Sequence, residues 1–586
     1  MSYLSAQPDL IAAAATDLAN IRLSIGAASA AAVGPTGGVL PAAADEVSTA
    51  AASLFNSYAS EYQTLIGQAS TFHDEFTQAL AAGGLAYAGT EIANAAAGNA
   101  ALNSITAPIQ SLLGGGGTAA PAASNIVTLV MGASGYPIPS QLYINGIPVI
   151  YINPFWGAGT NIGLPTPEGL YPLTGVKDLT LDVSAARGVT ILNDAIQAQL
   201  ATPGVTQVNV FGYSQSATIA SMEMAMLDPS NTPSSLPLRF TLVGDPSNPN
   251  GGLLARFPGL SLPSMGLTFG NATPDNSFPT RIYSIEYDGF ADFPQYPLDL
   301  PADLNAFLGI VELHGGYPFL DPSQLVPPSQ GGTAVQLTNT VGPTETQYFI
   351  VPTEHLPLLS PLRAIPGIGA PLADLIEPDV RVIVDLGYGS TTQGWSPDPP
   401  NVPTPFGVLP PVSAFDVAAA LGAGTQHGVS AFMNDVSSAF SSPPNLSLSG
   451  LTSILGSGTG GSLLPSLAVP SSPQGFVTAL QNANSNFFNA VSDSASAVYA
   501  VALPTADIAN AFVTAVPSYD ANLFLDGVLQ AAGGDPVDGL IYAVGAPAAA
   551  DTALATLAAG FEVRVVEHAA QVVYDDFTGT VPPSPG

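Results

Sequence analysis

The sequence predicts an α/β domain with a mostly parallel sheet, preceded by an α-helical hairpin, on three observations. From residue 126 onward, short β-branched runs alternate with amphipathic helical runs, the pattern of parallel strands joined by crossover helices. One run, Val208-Asn209-Val210-Phe211, ends in Gly212-Tyr213-Ser214-Gln215-Ser216 and passes straight into the small-residue helical stretch Ala217–Glu223. Strand, tight turn, serine at the apex and helix describe a nucleophile elbow, with Ser216 standing where a second glycine is usual. The first 81 residues are different: two long Ala-rich stretches flank a Gly34-Pro35 break and carry apolar residues at helical spacing.

Composition narrows the function classes. The chain has 586 residues, enough for more than one domain, and 9 Lys+Arg against 43 Asp+Glu give a net charge of -34. That balance excludes nucleic acid and anionic lipid surfaces as electrostatic partners. Cysteine is absent, which rules out disulfides, thiolate metal sites and a cysteine nucleophile, and nothing in the sequence asks for a metal or other cofactor. Asp9 and the lack of a basic segment before the first apolar residues argue against a general secretory signal peptide. Gly and Pro interrupt the long uncharged stretches, so no transmembrane segment is expected.

In chain order, the hairpin has Leu10, Ala14, Leu18, Ile21 and Ile25 on its first helix and Val47, Leu54, Tyr58, Tyr62, Leu65 and Phe72 on its second. Two such helices cannot bury their apolar faces alone and call for a partner. Residues 98–123, with Gly114–Gly117 and no charge, read as a linker. The α/β domain spans 124–375. Strands are expected at Ile126–Met131, Val149–Tyr151, Val208–Phe211, Phe240–Val243, Arg281–Ile285 and Tyr348–Val351, and a helix carries Val189, Leu192, Ile196 and Leu200 on one face. Residues 376–586 turn richer in Ala, Gly, Ser and Pro, with amphipathic stretches at Ala414–Phe440 and Phe476–Leu503 and no constellation of reactive side chains; their role is not readable.

A serine nucleophile needs a base within hydrogen-bond reach and a carboxylate to orient that base, arriving on this kind of sheet in the order serine, acid, histidine. Asp245 ends a strand, but its Gly-Asp-Pro turn is explained by strand termination alone. Asp292 lies on the loop after the next strand and is the favoured acid, with Asp288, one short turn earlier, as the alternative. Two histidines follow: His314, after the apolar helical stretch Leu300–Val311, and His355, after the strand that ends at Val351. Spacing and order do not separate them. The backbone N–H of Gln215 is the expected first oxyanion donor, and a second is expected from the Gly132-Ala133-Ser134 loop, at Ala133 or Ser134.

Two resemblances add to this reading. Met1-Ser2-Tyr3, Pro8 followed by an acid, the two Ala-rich helices and Tyr87-Ala88-Gly89-Thr90-Glu91 make residues 1–97 resemble the N-terminal module of the mycobacterial PE family, although Pro-Asp stands where the family name implies Pro-Glu. The resemblance implies a hairpin that pairs with a PPE-type helical partner and a secretion chaperone. It also implies a signal at Tyr87 and Glu91 for type VII secretion to the cell surface. Residues from about 125 to 370 resemble the PE-PPE domain, a cutinase-like serine α/β-hydrolase. The carriers are Gly212–Ser216, Gly244-Asp245-Pro246, Tyr287–Pro297 and Leu356–Leu359, and His314 through Tyr317 looks like the family's His-Xaa-Xaa-Tyr. Together with chain order, that resemblance favours His314 over His355.

The function these features imply is an exported esterase or lipase cleaving acyl esters through Ser214, His314 and Asp292. An acyltransferase of cell-envelope lipids with the same triad, and a surface interaction protein without activity, are the alternatives.

Overall fold

The computed structural model describes residues 125–366, 368–441, 496–497 and 499–578. The expected hairpin, the linker, Tyr87 and Glu91 lie outside the described residues, as does most of the second amphipathic stretch.

Seven strands form one sheet: β1 (Ile126–Val130), β2 (Thr160–Gly163), β3 (Gln207–Tyr213), β4 (Leu238–Val243), β5 (Thr280–Ile285), β6 (Val335–Leu337) and β7 (Thr346–Val351). Their order is β2-β1-β3-β4-β5-β7-β6, parallel throughout except for β6, which runs antiparallel to β7. The central strands are apolar on both faces because helices cover both. On one face α2 (Leu181–Leu200) and α3 (Gln215–Leu227) pack Leu192, Ile196, Ile219 and Met224 against Leu129, Val210 and Phe240. On the other, α1 (Gln141–Tyr151) brings Ile147 and Tyr151 against Val130, Phe211 and Tyr283. The chain leaves β1 toward β2 on one side and returns through α2 to β3 on the other. The loops after β1 and β3 therefore open onto one crevice at the carboxyl edge, where parallel sheets bind ligands.

Residues 149–151, expected as a strand, are instead the last turn of α1. Ser140 caps this helix through Oγ, which accepts the Tyr143 N–H at 3.3 Å. Ile144, Ile147 and Tyr151 then fall on its buried face at helical spacing, and packing of that face outweighs the local β propensity. β2 and β6 are short and only partly buried, and they carry too little apolar pattern to be read from sequence.

No break falls at residue 375. Helix α5 (Gly369–Leu386), after α4 (Leu300–Glu312), runs through it, and its Asp385 accepts a 2.7 Å hydrogen bond from the Tyr287 hydroxyl. The Pro-rich segment beyond packs as well, with the Phe406 ring 5.2 Å from that of Phe257. After α6 (Ala414–Ser441) come α7 (499–513), α8 (Ala515–Ala532) and α9 (Pro536–Thr578). Val516, Leu523, Ala549 and Leu554 from these helices share one core with Leu181, Leu254, Phe257 and Phe307 of the α/β domain. At Gly560 a Cβ would sit 2.5 Å from the Phe307 ring, so glycine is what lets α9 approach α4. By length and composition alone, Tyr499–Ala532, which a turn at Thr514 divides into α7 and α8, and Pro536–Gln571 are long and apolar enough to cross a membrane. α9 runs unbroken through Gly545 and Pro547 because the neighbouring Ala546, Ala549 and Ala550 are packed in the shared core.

Candidate active site

β3 delivers Ser214 to the crevice on a sharp turn. Ser214 has φ 58° and ψ -120°, a conformation that costs a side chain roughly 1–3 kcal/mol and persists only when its surroundings enforce it. A Cβ at Gly212 would lie 2.6 Å from the Ser216 carbonyl oxygen, so the helix can start this close to the strand only after glycine. Ser216 does more than fit. Its hydroxyl accepts the Tyr213 N–H at 2.8 Å and donates to the Gly132 carbonyl at 2.5 Å, tying the elbow to the loop after β1.

His314 meets Ser214 from the end of α4, at the start of a 3-10 turn (His314–Phe319). Its Nε2 is 2.8 Å from Ser214 Oγ and its Nδ1 is 2.8 Å from Asp288 Oδ2. An ionised carboxylate can only accept, so the proton belongs on Nδ1, and Nε2 is left as the acceptor for the serine hydroxyl. The imidazole is 12% exposed and stacks edge-on to Phe290 at 4.7 Å, with Tyr213 on another side at 5.5 Å. Asp288 is buried and fully partnered: the Tyr317 hydroxyl donates to Oδ2 at 2.7 Å and the Phe290 N–H to Oδ1 at 3.1 Å. Tyr317 in turn accepts the Ile285 N–H at 2.9 Å, which fixes its hydroxyl hydrogen toward the carboxylate. The His-Xaa-Xaa-Tyr pattern held the signal for this tyrosine, but only the folded loop shows its target.

The favoured acid, Asp292, is not on His314. Tyr287 adopts φ 69°, which turns the chain so that Asp288 faces the imidazole. The next turn folds Asp292 back underneath, where its Oδ2 accepts the Tyr287 N–H at 3.0 Å. Burial pushes the Asp292 carboxyl well above its usual range, against the pull of that N–H and of the nearby Arg256 guanidinium. Its part in the geometry is to brace the strained turn that presents Asp288. Asp245 also lies away from His314, buried and accepting from Thr273 Oγ1 at 2.6 Å and the Ser247 N–H at 2.9 Å. His355 sits half-exposed beside Glu377 at 3.4 Å, remote from the elbow's hydrogen bonds. With Asp374 it makes a cluster of metal-ligand type, but Arg363 already pairs with both carboxylates and Arg381 with Glu377.

Of the expected oxyanion residues, Gln215 and Ser134 line the same cavity as Ser214, and Ala133 does not. Gln215 opens α3, and its backbone N–H, in the first helical turn, has no intrahelical acceptor. Ser134 Oγ lies 3.5 Å from Gln215 Oε1, and Gln215 Nε2 donates to the Gly169 carbonyl at 2.8 Å. Ala133 is part of the turn closed by the Tyr136 N–H. Neighbouring Glu168, which sequence reasoning did not single out, is fully buried at φ 52°. Its carbonyl accepts the Gly135 N–H at 2.8 Å, which supports the loop. Burial pushes its carboxyl from an ordinary 4.5 to about 8, with the Thr166 hydroxyl bond pulling the other way. Beyond Ser214 opens a cavity of about 150 Å³ with no charged side chain in its lining.

A doubly wound, mostly parallel sheet with a serine elbow after β3 and a histidine and aspartate from the loops beyond defines an α/β-hydrolase fold. A family model described as the PE-PPE domain matches residues 158–389, and one for the PE family matches residues 4–94. The chain belongs to the PE family and carries a PE-PPE domain. Among curated proteins of Mycobacterium tuberculosis (strain ATCC 25618 / H37Rv), it is 48% identical over 462 residues to the uncharacterized PPE family protein PPE28, covering 79% of this chain and 68% of that one. It is 44% identical over 413 residues to Esterase PE16, covering 70% and 73% of the two chains. It is 44% identical over 433 residues to PE family protein PE3, covering 73% and 87%.

Proposed function

We propose that this protein is a serine esterase that cleaves acyl esters through an acyl-enzyme at Ser214. The observation that carries this reading is the continuous relay from Ser214 Oγ to His314 Nε2 at 2.8 Å and from His314 Nδ1 to Asp288 at 2.8 Å. The 44% identity to a protein named an esterase supports the same class of reaction.

In the mechanism, His314 Nε2 takes the hydroxyl proton as Ser214 Oγ adds to the ester carbonyl. Asp288 holds the imidazole in the tautomer that can accept and stabilises the imidazolium that forms. The Gln215 N–H, with a donor from Ala133 or Ser134, receives the developing oxyanion, and the α3 N-terminus adds its dipole. Collapse breaks the ester C–O bond, and the alcohol leaves with the proton from His314. Water then repeats the addition, giving up its proton to His314, and frees the acid. An alcohol in place of water would make the protein an acyltransferase, and the apolar lining beside Ser214 is what favours that second reading.

Family membership supports type VII export to the cell surface and pairing of the N-terminal segment with a PPE-type partner, with Tyr87 and Glu91 as the signal. Treating the folded full chain with a fluorophosphonate tests the enzyme reading. We expect Ser214 to be labelled and Ser214→Ala to be inert while still exported; an unlabelled wild type would refute the reading.

A further inference from the structure

We propose that the C-terminal helices are an acyl-binding cap: α7, α8 and α9 form the roof of the cavity that starts at Ser214, and they set which acyl chains the site accepts. The inference rests on the esterase reading for the identity of the reacting bond, but the binding claim stands on the cavity itself.

Eight of the 25 residues lining the cavity come from these helices. The α/β domain alone therefore leaves it open along one side. Ser214, Gln215 and Ser134 stand at its polar end, and Ile508, Ala511, Phe512, Val516, Leu557 and Phe561 close it from above. A group attached to a carbonyl held at Ser214 meets hydrocarbon on all sides. Each methylene buried there gains by leaving water, whereas a charged or hydrogen-bonding substituent would lose its water without replacement. The ligand chemistry this selects is an aliphatic acyl chain.

The roof is a built wall and not a chance contact. Its inner face shares one core with the α/β domain. Asp507 of α7 latches it at two points: its carboxylate accepts the Tyr171 hydroxyl at 2.5 Å, and its carbonyl accepts the Ser264 hydroxyl at 2.8 Å. Both partners lie on loops beside the cavity, where Tyr171 and Met265 are themselves lining residues.

Two readouts on the full-length protein test this. In the first, Ala511→Trp fills the cavity from the roof and Leu557→Ala enlarges it. We expect the first to lower the ratio of kcat/KM for a dodecanoyl ester over an acetyl ester by about tenfold or more, and the second to raise the ratio for a hexadecanoyl over a dodecanoyl ester by about threefold. Val563→Gln, on the exposed outer side of α9, is the control and keeps wild-type ratios. In the second readout, a fluorescent fatty acid is titrated into Ser214→Ala chains, which bind without turnover, and Ala511→Trp added to that background weakens binding by about tenfold. Labelled, folded variants with wild-type ratios and wild-type fatty-acid affinity overturn the cap. Binding weakened by Ala511→Trp in the Ser214→Ala background, together with a wild type that fluorophosphonate does not label, upholds the cap and removes the esterase reading instead.

Discussion

The two walls of the cavity next to Ser214 were built by opposite kinds of sequence. The floor, from β3 through the elbow to α3 and on to the loop at Asp288, uses residues that could be little else. Gly212 admits no side chain, Ser214 holds a positive φ, and Tyr287 holds another. The roof, α7 to α9, is Ala-rich, and its contribution to the lining is apolar throughout, its polar latch at Asp507 lying outside that lining. The polar side chains of the lining all belong to the floor, so substitutions around Ser214 are expected to act on the rate of every substrate. Roof substitutions are expected to act on the choice among substrates.

The largest effect that sharpens this contrast is Ser214→Ala, expected to lower ester turnover roughly 10⁴-fold or more for short and long chains alike. A loss confined to long chains would erase the distinction between floor and roof. Within the floor, two acids four residues apart should separate nearly as far. Asp288→Asn removes the acceptor that sets the His314 tautomer and is expected to lower kcat by about 10³–10⁴-fold with little change in KM. Asp292→Asn keeps an oxygen for the Tyr287 N–H and imitates the neutral acid that burial favours, so kcat should stay within a few-fold and stability within about 1 kcal/mol. Equal losses in the two variants would mean that Asp292 contributes directly to the base.

The smallest effect concerns pH. The Glu168 carboxyl binds a proton up to about 8 in the folded chain, against an ordinary 4.5. Between those values the folded state keeps a proton that the unfolded state has released. Its stabilising contribution is therefore complete below about 4.5 and is lost as pH rises through about 8, at up to about 1.4 kcal/mol per pH unit. Glu168→Gln should flatten the fall in unfolding free energy between pH 5 and pH 8, as read from urea transitions. An unchanged slope would show that Glu168 is ionised throughout.

The elbow was legible in the sequence because its chemistry is local: a strained serine demands small neighbours within two positions, and these are visible as letters. The pairing of His314 with Ser214 needs a loop 100 residues away, and order alone left two histidines standing. Asp288 and Asp292 follow the same strand at almost the same distance, and what distinguishes them is the single positive φ at Tyr287. Residues 149–151 show the reverse case, a Val-Ile-Tyr triplet of high β propensity whose fate was set by the buried face of the helix it completes. The 43-residue α9 went unread because its stripe is alanine, which marks a buried face and an exposed one equally well.

The hydroxyl of Ser216 has a consequence for how reaction geometry is kept. It is held by the Tyr213 N–H on one side and by the Gly132 carbonyl on the other, and Ser214 lies between Tyr213 and Gln215 while Gly132 begins the loop of Ala133 and Ser134. In the proposed mechanism, the distance between the attacking oxygen and the place where negative charge gathers is thus gauged by one side chain. A glycine in that position would remove both bonds, leaving no side-chain tie at this position between the strand that carries Ser214 and the loop after β1.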